Sequence, residues 1–415
     1  MSTFDRRYEL MPRAQLEQLQ LERLQALLAR LRRNVRRYRE KLGEVRLDSL
    51  GDLAALPFTD PEEVAASFPY GLFAFPLREV IRLHSTLGPE GRPLVIGHTR
   101  NDLAQWGRLV ARQLAASGVT ANDVVLICLG GAIHPGASGY VLGAEFIEAC
   151  VIAEDALHID YELAMLQTYR PTVLITSPSN ALTLIDTLEK RRLDPQSLHL
   201  RAVLLSRPVD QEFRAQLAAG LFAAVQCNFG ISEILDPGLC VECEAGQLHV
   251  HEDQFFPEIC EDELILTTLG REAMPLLRYR TRVAAELRRG KCPCGRTGAM
   301  LRTGARLDRR FRVKETCFYS AQIAGILAQT RAAGHRFLIE DSEQYLRLAI
   351  EISKDLFAGT LSGAEDPKRD IESELSAHLG IEADVRFVES LPHDQIGVTS
   401  PHSTFDASDT LPRVV

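Results

Sequence analysis

The sequence predicts an α/β protein with a mostly parallel sheet, a β-rich region after it and a small α+β domain at the C-terminus. Between residues 100 and 230, short apolar runs alternate with amphipathic segments, which is the pattern of strands joined by helices. Beyond residue 245 the apolar runs follow one another with only short polar breaks, as antiparallel strands do. From about residue 319 onward, strand and helix patterns mix again.

The composition is that of an ordinary globular chain of about two to three domains. Of 415 residues, 46% are hydrophobic and 25% are charged, and the net charge of −9 argues against a nucleic-acid-binding surface. No apolar run reaches the roughly 18–20 residues that a membrane span needs, and the N-terminus lacks the apolar core of a secretory signal. We therefore expect a soluble, cytoplasmic protein that binds neither nucleic acid nor membrane.

The N-terminal region and the parallel sheet are predicted element by element. Residues 14–42 repeat leucine at helical spacing, which predicts a long amphipathic helix with one break. Residues 56–93 are punctuated by proline and glycine and are predicted to form loops with short strands. The α/β region follows, with strands at 124–130, 172–176, 202–206 and 223–230 and helices at 101–117, 138–149, 161–168, 179–191 and 209–219. Parallel sheets bind ligands at the carboxyl ends of their strands.

The C-terminal half is predicted to contain antiparallel strands, a linker and a small domain. The antiparallel strands fall at 247–256, 263–269 and 276–290, and a linker rich in arginine and glycine at 300–310. The small domain has helices at 319–332 and 367–379 and strands at 336–341, 345–353 and 383–390. We divide the chain into domains at 1–304 and 305–395 and a loosely ordered tail at 396–415.

Several long sequence words closely resemble phenylacetate–coenzyme A ligases, a family of the adenylate-forming acyl- and aryl-CoA synthetases. The words are LPFTDPEEVAASFPYGLFAFP (56–76), GHTRNDLAQW (97–106), FGISE (229–233), EDQFFPEI (252–259), LTTLGREAMPLLRYRT (266–281) and CPCGRTG (292–298). The resemblance implies the adenylate-forming fold, in which a small mobile C-terminal lid closes on a large N-terminal domain. In that family ATP activates a carboxylate as an acyl-adenylate, and coenzyme A then captures the acyl group.

The phosphate loop implied by the resemblance is Thr86–Pro93, and its chemistry departs from the family pattern. Gly88 and Gly91 keep the turn, and Arg92 keeps one positive charge, but leucine, proline and glutamate replace hydroxyl residues. Proline removes a backbone N–H that could hold phosphate. Glu90 would cost about 4 kcal/mol for each phosphate charge at about 4 Å and an effective dielectric constant near 20.

The segments that the family uses for adenine, ribose and lid closure also depart from its pattern. Leu205–Pro208 replaces Gly-Ala-Glu-Pro, and Val283 stands where the family has the ribose-binding aspartate. In the hinge, Arg306 aligns with the family's arginine. The family's C-terminal catalytic lysine is missing, because no lysine follows Lys368. Losing one such charge donor typically costs about 10²–10³-fold in rate.

The FGISE segment is intact. The resemblance implies that Phe229 and Gly230 lie against the adenylate, that Ser232 and Glu233 are catalytic, and that Glu233 supports Mg²⁺. The alternative for Glu233 is a carboxylate that caps a nearby turn. The candidate cofactor-binding residues are Gly88, Gly91, Arg92, Phe229, Gly230 and Arg306.

The candidate acyl pocket follows the first strand of the parallel sheet. Gly130 and Gly131 are predicted to line it together with Tyr140. His134 is the best-placed titratable base, and its alternative is a histidine of the pocket wall or the surface.

Four residues fit a metal pattern that several family members carry, a Cys-x5-His followed by a Cys-x-Cys. They are Cys243, His249, Cys292 and Cys294. Three thiolates and one imidazole form a closed tetrahedral Zn²⁺ site, and four protein ligands leave no open position for catalysis. The resemblance thus implies a structural zinc. Cys240 is an alternative fourth ligand in place of His249, and a chain without metal remains the other alternative.

Three functions are compatible with these residues. We favour a ligase-derived protein that has lost ATP-dependent adenylation and acts on or binds an acyl group already activated on coenzyme A or a carrier protein. The second is a functional ATP-dependent aryl- or acyl-CoA ligase with atypical motifs, and the third is a non-catalytic scaffold. Under the first, ATP with Mg²⁺ and coenzyme A are doubtful cofactors, and the partners are a small acyl or aryl substrate or an acyl-carrier protein. Family members are often dimers, so we also expect a homodimer.

Overall fold

The structure is a computed structural model. It describes residues 3–88, 93–129, 135–153, 158–308, 310–314, 316–340, 342, 344–351, 367–388, 391 and 397–398. By their contacts, the residues group into two compact units, Met1–Thr86 with Leu94–Leu307 and Leu87–Pro93 with Asp308–Val415.

The first unit opens with helices α1 (Arg6–Glu9), α2 (Arg13–Asn34) and α3 (Arg36–Leu42). The predicted break is at Val35, whose backbone is extended. Helix α4 (Pro61–Ala65) lies where loops were predicted, because Asp60 and Glu63 form a capping box around its first turn and proline occupies N1. Strands β1 (Val80–Leu87) and β2 (Pro93–Thr99) then form a two-stranded sheet.

A five-stranded parallel sheet forms the centre of the first unit, with strand order β4-β3-β5-β6-β7. Its strands are β3 (Val124–Cys128), β4 (Cys150–Ala153), β5 (Val173–Thr176), β6 (Ala202–Leu205) and β7 (Ala224–Cys227). The helices of this region are α5 (Arg100–Ala116), α6 (Pro135–Phe146), α7 (Ile159–Tyr169), α8 (Pro178–Arg191) and α9 (Gln211–Leu221). Strand β4 was not predicted. It is short and partly exposed at the sheet edge, whereas β5 and β6 are fully buried apolar runs.

A six-stranded antiparallel sheet completes this unit, in the order β10-β11-β12-β13-β9-β8. Its strands are β8 (Cys240–Glu242), β9 (Leu248–Val250), β10 (Phe255–Cys260), β11 (Glu263–Thr268), β12 (Tyr279–Arg288) and β13 (Met300–Arg306). The predicted linker at 300–310 is wrong over β13, which pairs with β12. Met300 and Leu301 are buried while Arg302 is exposed, so arginines of this strand face solvent rather than mark a linker.

The second unit contains a four-stranded sheet in the order β18-β17-β16-β19. Its elements are β14 (Arg310–Val313), β15 (Thr316–Tyr319), α10 (Ser320–Leu327), β16 (Arg336–Glu340), β17 (Leu346–Glu351), α11 (Pro367–Leu379), β18 (Ala383–Val388) and β19 (Gly397–Val398). Strand β19 pairs with β16, which places Gly397 and Val398 of the predicted tail in this sheet; the loosely ordered tail itself stays a prediction. The rest of the predicted tail, residue 396 and residues 399–415, lies outside the described residues.

Among the described residues, no helix has both the length and the apolar character needed to cross a membrane.

Candidate active site and metal centre

The candidate active site lies at the carboxyl edge of the parallel sheet. Strands β6 and β7 are neighbours that end at Leu205 and Cys227, so the segments that follow them start side by side. The ladder continues one residue further, because the backbone N–H of Asn228 donates to the carbonyl oxygen of Leu205 at 2.9 Å. The segment after β6 begins the stretch 205–208, which the resemblance assigned to adenine. The segment after β7 contains 229–233, which it assigned to the adenylate.

The FGISE segment forms a tight loop. Ile231 and Leu235 exchange backbone hydrogen bonds of 3.3 and 2.7 Å, which close the loop around Ser232 and Glu233. Gly230 is required sterically, since a Cβ at this position would lie 2.4 Å from Oδ1 of Asp236. The loop therefore holds its serine and glutamate in one defined conformation.

Glu233 is buried, with 6% of its surface exposed, whereas Ser232 is half-buried. Among the residues that the structure describes, no donor forms a hydrogen bond to the Glu233 carboxylate. The turn-capping alternative thus finds no support within that part of the chain.

Val283 is the residue that the sequence comparison aligned with the family's ribose-binding aspartate, and its side chain is apolar. Val283 is 5% exposed. The nearby carboxylate of Glu263 accepts from Arg280 Nε at 2.7 Å and from the backbone N–H of Arg282 at 2.8 Å. Leu205, in the adenine segment, is fully buried. Neither Val283 nor Leu205 has a side chain that can form a hydrogen bond.

Other predicted site residues are placed as follows. Gly88 is buried, and Arg306 is exposed on β13 with its Nη2 donating to the carbonyl oxygen of Thr281 at 3.4 Å. Tyr140 is 1% exposed and lies in the packed interior, where burial raises the pKa of its phenol. A pocket role for Tyr140 stays a prediction. The remaining candidates lie outside the described residues: Gly91, Arg92, Gly130, Gly131 and His134.

The four predicted metal ligands meet in one buried cluster. Their ligand atoms all lie within 4.8 Å of one another: Cys243, His249, Cys292 and Cys294. Cys243 follows β8 and His249 lies on β9, while both other cysteines lie in the connection from β12 to β13. Because β9 pairs with β13, the two halves of the cluster approach each other. Cys240 lies instead in the large apolar core of the first unit.

The spacing of the cluster fits a tetrahedral ion. The Cys243 and Cys292 Sγ atoms are 3.8 Å apart, and Cys294 Sγ lies 3.4 Å from His249 Nε2. A tetrahedron with Zn–S bonds near 2.3 Å has S–S edges of about 3.8 Å. His249 Nδ1 lies 2.8 Å from the carbonyl oxygen of Gly298, which assigns the proton to Nδ1 and leaves Nε2 for a metal. Burial raises the pKa of Cys243 to about 12, so its thiolate needs a cation.

A further cluster of polar and aromatic residues was not predicted. His98 is 1% exposed, and its ring packs against those of His84 and Trp106, with centroids 4.8 and 5.0 Å away; the His84 and Trp106 rings also contact each other, at 6.1 Å. Arg271 Nη1 lies 3.1 Å from His98 Nδ1, and burial, with the charge of Arg271, lowers the pKa of His98. The neutral ring links β1, β2 and the segment after β11. The sequence word 97–106 contains His98 and Trp106 but gives no signal for the distant Arg271.

Sequence similarity to known proteins identifies the family of this chain. No family model matches it. It is 33% identical to the phenylacetate–coenzyme A ligase of Thermus thermophilus over 94% of this chain and 92% of that protein. It is 28% identical to the phenylacetate–coenzyme A ligase of Aromatoleum evansii over 92% of each.

Solved structures agree on the fold. A 2-hydroxyisobutyryl-CoA ligase in complex with 2-HIB-AMP and CoA superposes with a TM-score of 0.83 at 23% identity, covering 94% of this chain and 90% of that one. The amide bond synthetase McbA of Marinactinospora thermotolerans reaches 0.54 at 16% identity, covering 76% and 66%. The predicted adenylate-forming fold is confirmed, and the chain belongs to the phenylacetate–coenzyme A ligase family.

Proposed function

We propose that this protein is an ATP-dependent ligase that joins a small aryl or acyl acid to coenzyme A, using an atypical nucleotide site. The observation that carries this proposal is 33% identity to a phenylacetate–coenzyme A ligase along 94% of the chain. The preference from the sequence alone was a protein that had lost adenylation; the comparison favours instead the functional ATP-dependent ligase. The intact loop around the buried Glu233 supports the same function.

The chemistry assigns roles to this chain's own residues. The acid's carboxylate attacks the α-phosphate of ATP and releases pyrophosphate, and the thiol of coenzyme A then displaces AMP. Glu233 would hold Mg²⁺, which would neutralise phosphate charge, and Phe229 and Gly230 would lie against the adenylate. Arg92, Arg282 and Lys314 are candidates for replacing the family's missing positive groups. Arg282 already contacts Asp60 Oδ1 at 3.3 Å, so it would exchange this partner for phosphate.

A second candidate function is the processing of an acyl group that is already a thioester of coenzyme A or of a carrier protein. The buried Val283 and Leu205 favour it, because neither can hydrogen-bond a nucleoside. In this case His134 is the candidate base, and an acyl-carrier protein becomes the partner. A homodimer is part of the proposal for either function.

We also propose that Cys243, His249, Cys292 and Cys294 hold a structural Zn²⁺. The ion would join the β8–β9 hairpin to the β12–β13 connection. Its four protein ligands leave no position for substrate or water, so its contribution is to stability rather than to the reaction.

Mass spectrometry of the reaction products tests the proposed function. The protein is incubated with ATP, Mg²⁺, coenzyme A and single acids from a panel of arylacetic, benzoic and short-chain acids. The proposal predicts an acyl-CoA and AMP for at least one acid and neither product without ATP. If no acid reacts but an acyl-CoA supplied directly is consumed, the second candidate is correct.

A further inference from the structure

We propose that Asn228 is a positioning residue that locks together the two loops at the carboxyl ends of β6 and β7. This inference rests on the proposed function, because the loops are those assigned there to adenine and adenylate. Asn228 is the first residue after β7 and is 1% exposed. Its side chain is too deeply buried to contact a substrate in the structure, so it acts through the loops.

The side-chain amide of Asn228 donates in two directions. Nδ2 lies 2.7 Å from Oδ1 of Asp236 and 3.2 Å from the carbonyl oxygen of Ser206. Ser206 belongs to the loop after β6, and Asp236 stands at the far end of the loop after β7. One planar amide thus fixes the separation of the two loops.

The opposite end of the amide is held by a helix. Asn228 Oδ1 accepts from Nε2 of Gln113 on α5 at 3.2 Å, and Gln113 is 3% exposed. With both ends of its side chain engaged, Asn228 cannot rotate without breaking buried hydrogen bonds. The anchor connects the loops to a regular element of the first unit.

The contact with Asp236 also controls the loop that carries Glu233. Asp236 packs against the backbone of Gly230: a Cβ placed on Gly230 would be only 2.4 Å from Oδ1 of Asp236. A shift of Asp236 would therefore move the Gly230 backbone and the Ser232–Glu233 turn with it. Catalytic groups need positioning to within about 0.5 Å, so this coupling matters for nucleotide binding.

Hydrogen exchange and steady-state kinetics on the full chain test this role. Asn228→Leu removes the bridging hydrogen bonds at similar side-chain volume, and Gln113→Leu loosens the bridge from outside both loops. Thr172→Val is the matched control. It removes a 2.7 Å hydrogen bond to Asp123 at the opposite edge of the same sheet.

We expect amides of residues 206–207 and 229–236 to exchange roughly tenfold faster in Asn228→Leu, and less strongly so in Gln113→Leu. The control should leave them unchanged. In ATP–pyrophosphate exchange, the KM for ATP should rise several-fold more than kcat falls. Unchanged amide exchange in both loops overturns the proposal, and so does faster exchange with an unchanged KM. If wild-type protein shows no nucleotide turnover, the proposed function fails while the hydrogen-exchange comparison still decides the bridge.

Discussion

The imidazole of His249 lies with Nδ1 2.8 Å from the carbonyl oxygen of Gly298, and its Nε2 is 3.4 Å from Cys294 Sγ. One hydrogen bond thereby fixes both the orientation and the tautomer of the ring. Gly298 itself belongs to the connection that carries Cys292 and Cys294. The backbone of this connection thus turns Nε2 of His249 toward the thiol of Cys294.

Removing one thiolate should remove the metal. Cys294→Ser is expected to lose bound zinc and to lower the thermal midpoint by several degrees, because three ligands hold the ion less tightly and the β12–β13 connection loosens. Elemental analysis and calorimetry measure both effects. Cys240→Ala is the control and should keep one equivalent of bound zinc per chain. Zinc lost equally from both variants would show that Cys240 is a ligand.

Glu9, near the N-terminus, contacts the connection between β12 and β13 just after Cys294. We expect this contact to contribute to stability. Arg296 Nε donates to Oε2 of Glu9 at 2.9 Å, with both side chains 2% exposed, and the Thr297 N–H donates to the Glu9 carbonyl at 3.1 Å. Glu9→Gln removes the carboxylate charge that is paired with the buried guanidinium of Arg296, which should cost about 3 kcal/mol of unfolding free energy. Urea titration measures it.

The control for this variant is Glu40→Gln, which removes an exposed ion pair with Arg36. Its unfolding free energy should match wild type, because exposed pairs contribute little. Equal stability of Glu9→Gln and Glu40→Gln would mean that the N-terminal segment is not anchored at Arg296.

Stability should fall between mildly acidic and neutral pH because of Glu162. Burial raises the pKa of this carboxyl to about 7 from 4.5, although hydrogen bonds from Asn180 and Cys128 act the other way. At a pH between 4.5 and about 7, the Glu162 carboxyl is ionised in the unfolded chain but still protonated in the folded chain. Stability therefore decreases as pH rises through this window, by on the order of 3 kcal/mol.

Glu162→Gln removes this titration. Relative to wild type, the variant should gain stability progressively from pH 4.5 to pH 7 in thermal melts. Glu189→Gln, an exposed change on α8, serves as the control and should follow the wild-type profile. A constant difference between Glu162→Gln and wild type across this range would contradict the assignment.

Glu233 should be essential for adenylation. Glu233→Gln keeps the shape of the side chain but removes the charge that we propose to hold Mg²⁺, so kcat should drop about 10²–10³-fold. Pyrophosphate release measures kcat, with the exposed Glu212→Gln as control. A Glu233→Gln variant within twofold of wild type would leave Glu233 with a structural role only.

The buried strands were predictable because a parallel sheet imposes continuous apolar runs. β5 and β6 are buried at every residue and were predicted within two residues. Strand β4 was missed because an edge strand of four residues carries little of this signal. In β13, Met300 and Leu301 are buried, while Arg302, Gly304 and Arg306 are exposed, so the strand shows no regular alternation of apolar and polar residues.

The candidate site was predictable only where neighbouring residues form one motif. The FGISE loop is local, and the four metal ligands come in two short motifs. The choice between Cys240 and His249 could not be made from spacing, because it depends on which side of β8 and β9 each residue faces. The pairing of His98 with Arg271 and the bridge from Asn228 to Ser206 depend on long-range contacts that leave no local pattern.

ATP–pyrophosphate exchange tests the central claim most directly, because it detects reversible adenylate formation without coenzyme A. With Mg²⁺ and a panel of aryl and short acyl acids, the account predicts acid-dependent incorporation of labelled pyrophosphate into ATP. Absence of exchange with every acid, together with no thermal stabilisation by ATP or AMP, would contradict an ATP-dependent ligase.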